Sequence, residues 1–158
     1  MIVAFLAGAL SIAGVNLPTQ NLKGEPRVFP DDVTQSRAVV VLTFSKSASD
    51  EATEWTRKLR ENQQKLAASI YQIAVLEDVP ALFRSFVISA LRRAIPRELH
   101  DNFWIATSST KEWQECTGSK SLGEAHIFVL EGRKQIIWRF EGAFAEPILH
   151  SLFEALSR

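Results

Sequence analysis

Apolar positions along this chain follow two alternating rhythms. Ala38-Val39-Val40-Val41-Leu42-Thr43-Phe44 is a nearly continuous, β-branched run, the pattern of a strand buried on both faces of a parallel sheet. From Ala52 the period changes. Ala52, Trp55, Leu59 and Leu66 recur at helical spacing, behind Ser47 and Ser49 as candidate N-caps and Asp50 and Glu51 as first-turn negative charge. Ser69 to Leu76 returns to strand character through Ile70, Tyr71, Ile73, Ala74 and Val75, which completes a right-handed βαβ unit. Pro80 opens a second helix, in which Leu82, Phe83, Phe86, Val87, Ala90, Leu91 and Ala94 form one apolar stripe before Pro96 ends it. That stripe, with Phe83, Phe86, Val87 and Leu91 at its centre, is expected to face the sheet. Phe103-Trp104-Ile105-Ala106-Thr107 predicts a third short strand and Lys111 to Cys116 a short helix. His126 to Leu130 and Gln135 to Phe140, separated by Glu131-Gly132-Arg133-Lys134, predict a hairpin. Phe144, Ile148, Leu149, Leu152, Phe153 and Leu156 then mark one face of a closing helix.

These elements divide the chain into three stretches. Residues 1–15 are apolar or small and carry no charge; residues 16–36 read as an irregular lead-in punctuated by Pro18, Gly24, Pro26 and Pro30; residues 37–158 form the folded domain. The order β-α-β-α-β-(α)-β-β-α is the thioredoxin-like one, an α/β domain whose central mixed sheet carries helices on both faces. A flavodoxin-like domain would keep alternating strand and helix to its end, and the hairpin argues against that.

Met1 to Val15 has the apolar stretch and the small-residue tripeptide, Ser11-Ile12-Ala13, of an export signal, but no basic residue precedes them. The export reading places the protein in the periplasm or at a membrane. The other reading makes Ile2 to Leu10 a buried strand or helix and the protein cytoplasmic. Spanning a bilayer takes roughly 20 apolar residues, more than this stretch supplies.

Charge adds little direction. Lysine plus arginine and aspartate plus glutamate each number 18, so no net field recruits nucleic acid. A single cysteine, Cys116, excludes an internal disulfide and any thiolate-rich metal site. His100, His126 and His150 fall on separate elements without helical pairing, and no glycine loop of a nucleotide-binding type occurs, so no cofactor is expected.

In a thioredoxin-like enzyme the reactive thiols sit where the first central strand meets its helix, because the helix N-terminus stabilises thiolate. The matching stretch is Ser45-Lys46-Ser47-Ala48-Ser49-Asp50-Glu51-Ala52, which holds no sulfur. The place of the cis-proline that redoxin folds carry before the hairpin is taken by Glu124-Ala125-His126. His126 reads as a strand-start histidine bonded to backbone rather than as a replacement acid or base. Cys116 lies downstream of the junction, with Lys111 and Lys120 too distant to activate it, and is the one thiol through which an enzymatic alternative would run. Arg92, Arg93 and Arg97 gather at the end of the second helix, where they offset the helix dipole and form the candidate partner-binding cluster.

Two stretches carry a family resemblance: Ser85 to Phe103, with Leu91-Arg92-Arg93, Pro96 and His100, and His126-Ile127-Phe128-Val129-Leu130-Glu131 through Ile136-Ile137-Trp138 to Glu146. Together they resemble the thioredoxin-like mitochondrial assembly factor of the F-type ATP synthase, over roughly Ala38 to the C-terminus. In this chain Arg139, Phe140 and Glu141 intervene before Gly142, where that family has small residues. The lead-in Leu22 to Pro30 is similar to the start of periplasmic redoxins. The resemblance implies a fold without redox dithiol, a polypeptide partner and a chaperone-like role in assembling a membrane complex. The rival class is a degenerate redoxin or peroxiredoxin-like enzyme acting through Cys116 or a partner's thiols.

Overall fold

The computed structural model describes residues 9–107 and 109–158. Met1 to Gly8, most of the apolar N-terminal stretch, lie outside the described residues. The strands are β1 (Leu10–Ser11), β2 (Leu17–Asn21), β3 (Pro26–Phe29), β4 (Arg37–Thr43), β5 (Ser69–Val75), β6 (Phe103–Ala106), β7 (His126–Glu131) and β8 (Gln135–Glu141). The helices are α1 (Ser49–Glu61), α2 (Gln63–Leu66), α3 (Ala81–Ala94), α4 (Thr110–Thr117) and α5 (Glu146–Leu156). Among the described residues, these eight strands join one sheet in the order β1-β8-β7-β4-β5-β6-β2-β3.

The β-branched run that predicts a central strand is β4, parallel to β5 and antiparallel to β7, with Val39, Val40, Val41 and Leu42 fully buried. Alternation along β4 separates two cores. Val39 and Val41 meet Trp55 and Leu59 of α1 and Leu149 and Leu152 of α5 on one face. Val40 and Leu42 meet Phe29, Val33, Phe128 and Trp113 of α4 on the other. The predicted layering, helices on both faces of a mixed sheet, is the observed one.

Two expectations need correction. The lead-in is not merely connection: β2 and β3 form a hairpin, β2 adds to β6, and Leu17, Leu22, Phe29 and Val33 are buried. Its prolines conceal it. Pro18 pairs with Val28 of β3 but lies beyond the two residues, Gln20 and Asn21, that pair with β6, and Pro26 begins the edge strand, where a missing N–H does little harm. Between the strands, Asn21 Oδ1 accepts the N–H groups of Lys23 and Glu25, and Gly24 takes φ +86°.

The second correction concerns α3. The helix forms where periodicity places it, and Leu91 packs on the sheet as expected, yet the bulk of the stripe does not: Leu82 is 88% exposed, Phe83 60% and Phe86 69%. The sheet beneath offers only the apolar patch of Leu22, Ala74, Phe103 and Ile105, and Ile88, Leu91 and Ile95 cover it from the opposite side of the helix. So narrow a patch accepts one stripe, and the bulkier one points to solvent.

The short helix around Lys111 to Cys116 is α4, and the hairpin is β7–β8 with Gly132 and Arg133 at positive φ in its turn. Leu10 and Ser11 pair with Ile136 and Gln135, and Ile12 is 2% exposed. The tripeptide Ser11-Ile12-Ala13 is therefore part of the fold. Among the described residues no helix is long and apolar enough to cross a membrane.

Candidate functional site

β4, β5 and β6 end, and β7 begins, at the edge of the sheet where the strand–helix junction lies. Chain leaving Thr43 passes Phe44 and Ser45, makes one 3-10 turn over Lys46–Ala48 and enters α1. The serines do not cap the helix as expected. Ala48 occupies the N-cap position, Ser49 Oγ donates to the Lys46 carbonyl at 2.6 Å, and Ser45 Oγ lies 2.9 Å from Ser47 Oγ while donating to the Leu122 carbonyl at 2.7 Å. The reason lies in the turn: the 3-10 segment runs directly into α1 and puts Ala48, which has no side-chain oxygen, at the N-cap, with Ser49 already inside the helix.

These bonds belong to a set that fastens the loop before β7 over the junction. Glu51, in the first turn of α1, accepts the Ala125 N–H at 3.0 Å, and Glu141 accepts the Lys120 N–H at 2.7 Å. His126, at the start of β7 and 3% exposed, places Nε2 at 2.5 Å from the Ser121 carbonyl, as a backbone-bonded histidine should. Its Nδ1 lies 3.2 Å from Glu141 Oε1 but poorly aligned for a hydrogen bond, and the Phe44 ring meets it edge-on at 5.3 Å. Burial pushes the imidazole below its usual value, while the Glu141 carboxylate, the Ser121 carbonyl and Glu124 push back. Held through Nε2, the buried ring braces the loop, and it bonds to none of the junction serines.

A cleft of about 590 Å³ opens beside this brace, lined by Glu51, Lys120, Glu124, Arg139, Glu141 and Gly142 among others. Arg139 donates to the carbonyls of Thr117 and Gly118, at 3.3 and 2.6 Å, which closes the end of α4. Gly118 suits this place: it takes φ +73°, which glycine adopts freely, and a Cβ there would press on the Arg139 guanidinium. The cleft thus mixes both charge signs and holds no thiol. Among the described residues no three histidine, cysteine, aspartate or glutamate side chains converge as a metal site.

The residues that the sequence nominates for chemistry or partners are scattered. Cys116 sits on α4, half-buried against the core on the face opposite α1, with Sγ 3.5 Å from the Trp113 carbonyl. Burial, reinforced by Glu112 and Glu115, pushes its thiol up to about 12. All three arginines are exposed, but only Arg92 donates, from Nε to the Leu22 carbonyl at 2.7 Å, and ties α3 to the lead-in hairpin. None of the three reaches the junction loop.

The Glu141–His126 contact escapes a reading of sequence because it depends on a bulge. Counting outward from Glu131 opposite Gln135 would set Phe140 against His126; the irregularity at Val129/Leu130 shifts the pairing by one residue and brings Glu141 there instead.

A central strand feeding a helix, a braced loop before an antiparallel hairpin and a closing helix define a thioredoxin-like, redoxin-type fold. No protein-family model matches the chain, and no curated protein matches it. Solved structures do. BsSco, a member of the Sco family of cytochrome c oxidase assembly proteins, matches with a TM-score of 0.59 at 11% identity, covering 99% of this chain and 98% of that one. A SCO1/SenC family lipoprotein from Bacillus anthracis matches at 0.58 and 12%, covering 98% and 100%. The peroxidoxin BcpB from Mycobacterium tuberculosis matches at 0.56 and 15%, covering 95% and 96%. At such identities the likeness shows the fold alone. The resemblance to the ATP synthase assembly factor gains nothing from these structures.

Proposed function

We propose that this chain is a non-catalytic thioredoxin-like module that binds a polypeptide and serves the assembly of a larger, membrane-associated complex. The observation that carries this reading is the junction itself. Where a redoxin needs an attacking thiol, this chain has Ser45, Ser47 and Ser49, and their hydroxyls are committed to one another, to Lys46 and to Leu122. A serine without a neighbouring free base is a poor nucleophile, and His126 is bonded to the Ser121 carbonyl and to none of these hydroxyls. Cys116 does not substitute for it, since a half-buried thiol held up to about 12 supplies little thiolate. Support for an assembly role comes from BsSco, whose family is described as assembling cytochrome c oxidase. Arg93 on α3 and Arg97 just beyond its end, both exposed, are the proposed partner contacts, with Arg92 tying the helix to the lead-in hairpin beside them.

We further propose that the protein works outside the cytosol, in keeping with the lipoproteins among its structural neighbours, and that residues from Leu10 onward stay in the mature chain. The pairing of Leu10 and Ser11 with β8 and the burial of Ile12 support their retention.

The test is direct. Purified protein should neither reduce insulin disulfides nor turn over peroxide with a dithiol donor above the level of a Cys116→Ser control, and alkylation of Cys116 at mildly alkaline pH should be far slower than in unfolded chain. Turnover that Cys116→Ser abolishes would establish the enzymatic alternative. Mass spectrometry of protein from a periplasmic or membrane fraction should find an N-terminus at or before Leu10; an exclusively cytosolic protein would remove the export reading.

A further inference from the structure

We propose that α3 is the contact helix of a two-fold dimer, its outward face packed antiparallel against α3 of a second copy of this chain. The inference goes beyond the proposed function and meets it at one point: Arg93 and Arg97, proposed there as partner contacts, are covered in the dimer, so a polypeptide partner would meet them on the monomer. Scattered exposed apolar residues are ordinary, but Leu82, Phe83 and Phe86 are all more than half exposed and lie within about one turn and a half of helix. Helical geometry aligns Leu82, Phe86, Ser89 and Arg93 along one ridge, with Phe83 and Ala90 beside it, opposite Ile88, Leu91 and Ile95, which cover the sheet. Arg84 does not interrupt this face, because it folds back onto the carbonyls of Val79 and Glu77.

How the face is divided identifies its occupant. Its N-terminal half is bulky and preceded by Asp78; its C-terminal half is small and basic, with Ser89, Ala90, Arg93 and, just past the helix, Arg97. Asp78, Arg93 and Arg97 are exposed, and none forms an ion pair among the described residues. Such a face complements itself when turned end for end. In that register Phe86 of one copy lies over Ser89 and Ala90 of the other, Leu82 runs along the aliphatic stem of Arg93, and Asp78 stands opposite Arg97. Every contact then occurs twice, as an isologous interface requires. A membrane surface would instead favour cations along the whole ridge, and Asp78 opposes that. One helix pair buries less than the roughly 800 Å² per partner of a standard interface, so the association is reversible and concentration-dependent.

Sedimentation equilibrium of the full chain, from low micromolar to near-millimolar concentration, should show the average mass rising from one chain towards two. Phe86→Glu should hold it at one chain throughout, with an unchanged circular dichroism melt, because the side chain already faces solvent. Arg97→Glu should weaken association at least several-fold, and Asp78→Lys in the same chain as Arg97→Glu should restore it, since the exchanged charges meet again across the two-fold axis. A wild-type mass that stays at one chain, with or without binding to lipid vesicles, would overturn the proposal, as would a dimer indifferent to Phe86→Glu. A dimer that Phe86→Glu dissolves but that the double charge exchange fails to recover would overturn the antiparallel pairing.

Discussion

α1 and α3 occupy equivalent places: each crosses between neighbouring parallel strands on the same face of one sheet. α1 is the more polar in sequence and buries Ala52, Trp55, Thr56 and Leu59; α3 is the more apolar and buries nothing completely. An apolar stripe therefore states that a helix face seeks cover without stating which cover it finds. Under α1 the sheet presents Val39, Val41 and Ile127 with α5 alongside, a surface wide enough for a tryptophan. Under α3 it presents the small Ala74 among three neighbours, and the helix turns its smaller aliphatic side chains inward.

The sharpest way to break this contrast is to truncate one aromatic from each helix. Trp55→Ala should cost about 3–5 kcal/mol, from lost buried area and the cavity left behind, together with the loss of the indole N–H that donates to the Gly142 carbonyl. Phe86→Ala, at a concentration where the chain is monomeric, should change stability by less than about 0.5 kcal/mol, as exposed substitutions do. Chemical denaturation reads both values, and comparable losses would show that α3 is core after all.

A chain shortened to begin at Gly14 probes the far edge of the sheet. It loses β1 and the buried Ile12, and should be less stable by about 2–5 kcal/mol, the range for deleting a buried isoleucine side chain. A shortened chain as stable as the full one would make removal of everything before Gly14 harmless to the fold.

Within α3, the arginines should separate. Arg92→Ala removes a charged donor from the Leu22 carbonyl and should cost about 1–2 kcal/mol, whereas Arg93→Ala should be close to neutral. Equal effects would mean that the tie to the lead-in hairpin does not matter.

The smallest effect concerns the braced loop. His126 titrates below its ordinary 6.5, chiefly because burial disfavours the charged ring. A group whose folded pKa is depressed contributes stability that is present above the unfolded value and lost as pH falls towards the folded one. The melting temperature should therefore decline as pH drops below about 6.5, and His126→Gln should flatten that decline. A slope unaltered by the substitution would assign the acid sensitivity to other groups.

Most of the architecture was legible in the chain because strands buried on both faces leave little choice of residue: Ala38 to Phe44, Ile70 to Val75 and the hairpin runs could hardly be anything else. The β2–β3 hairpin was illegible because its strands are short and its prolines sit at the few positions where a sheet tolerates them. The α3 orientation was illegible for a different reason, since it depends on how much apolar surface another part of the chain leaves uncovered. Of the candidate site, the missing thiol could be read directly. The Glu141–His126 contact could not, because one bulged residue decides which side chain of β8 faces His126.

The bond from the Ala125 N–H to Glu51 bears on any attempt to give this junction redox chemistry. An engineer who installed cysteines at Ser45 and Ser49 would supply sulfur without reactivity. Asp50 and Glu51 already place negative charge in the first turn of α1, where it counteracts the helix's pull on a thiolate. The loop before β7 would also stay tied to α1 through Glu51, although Ser45 Oγ would no longer donate to the Leu122 carbonyl. Redox activity would therefore require changing the charge at Asp50 and Glu51 as well as adding sulfur, and changing Glu51 releases the loop that it holds.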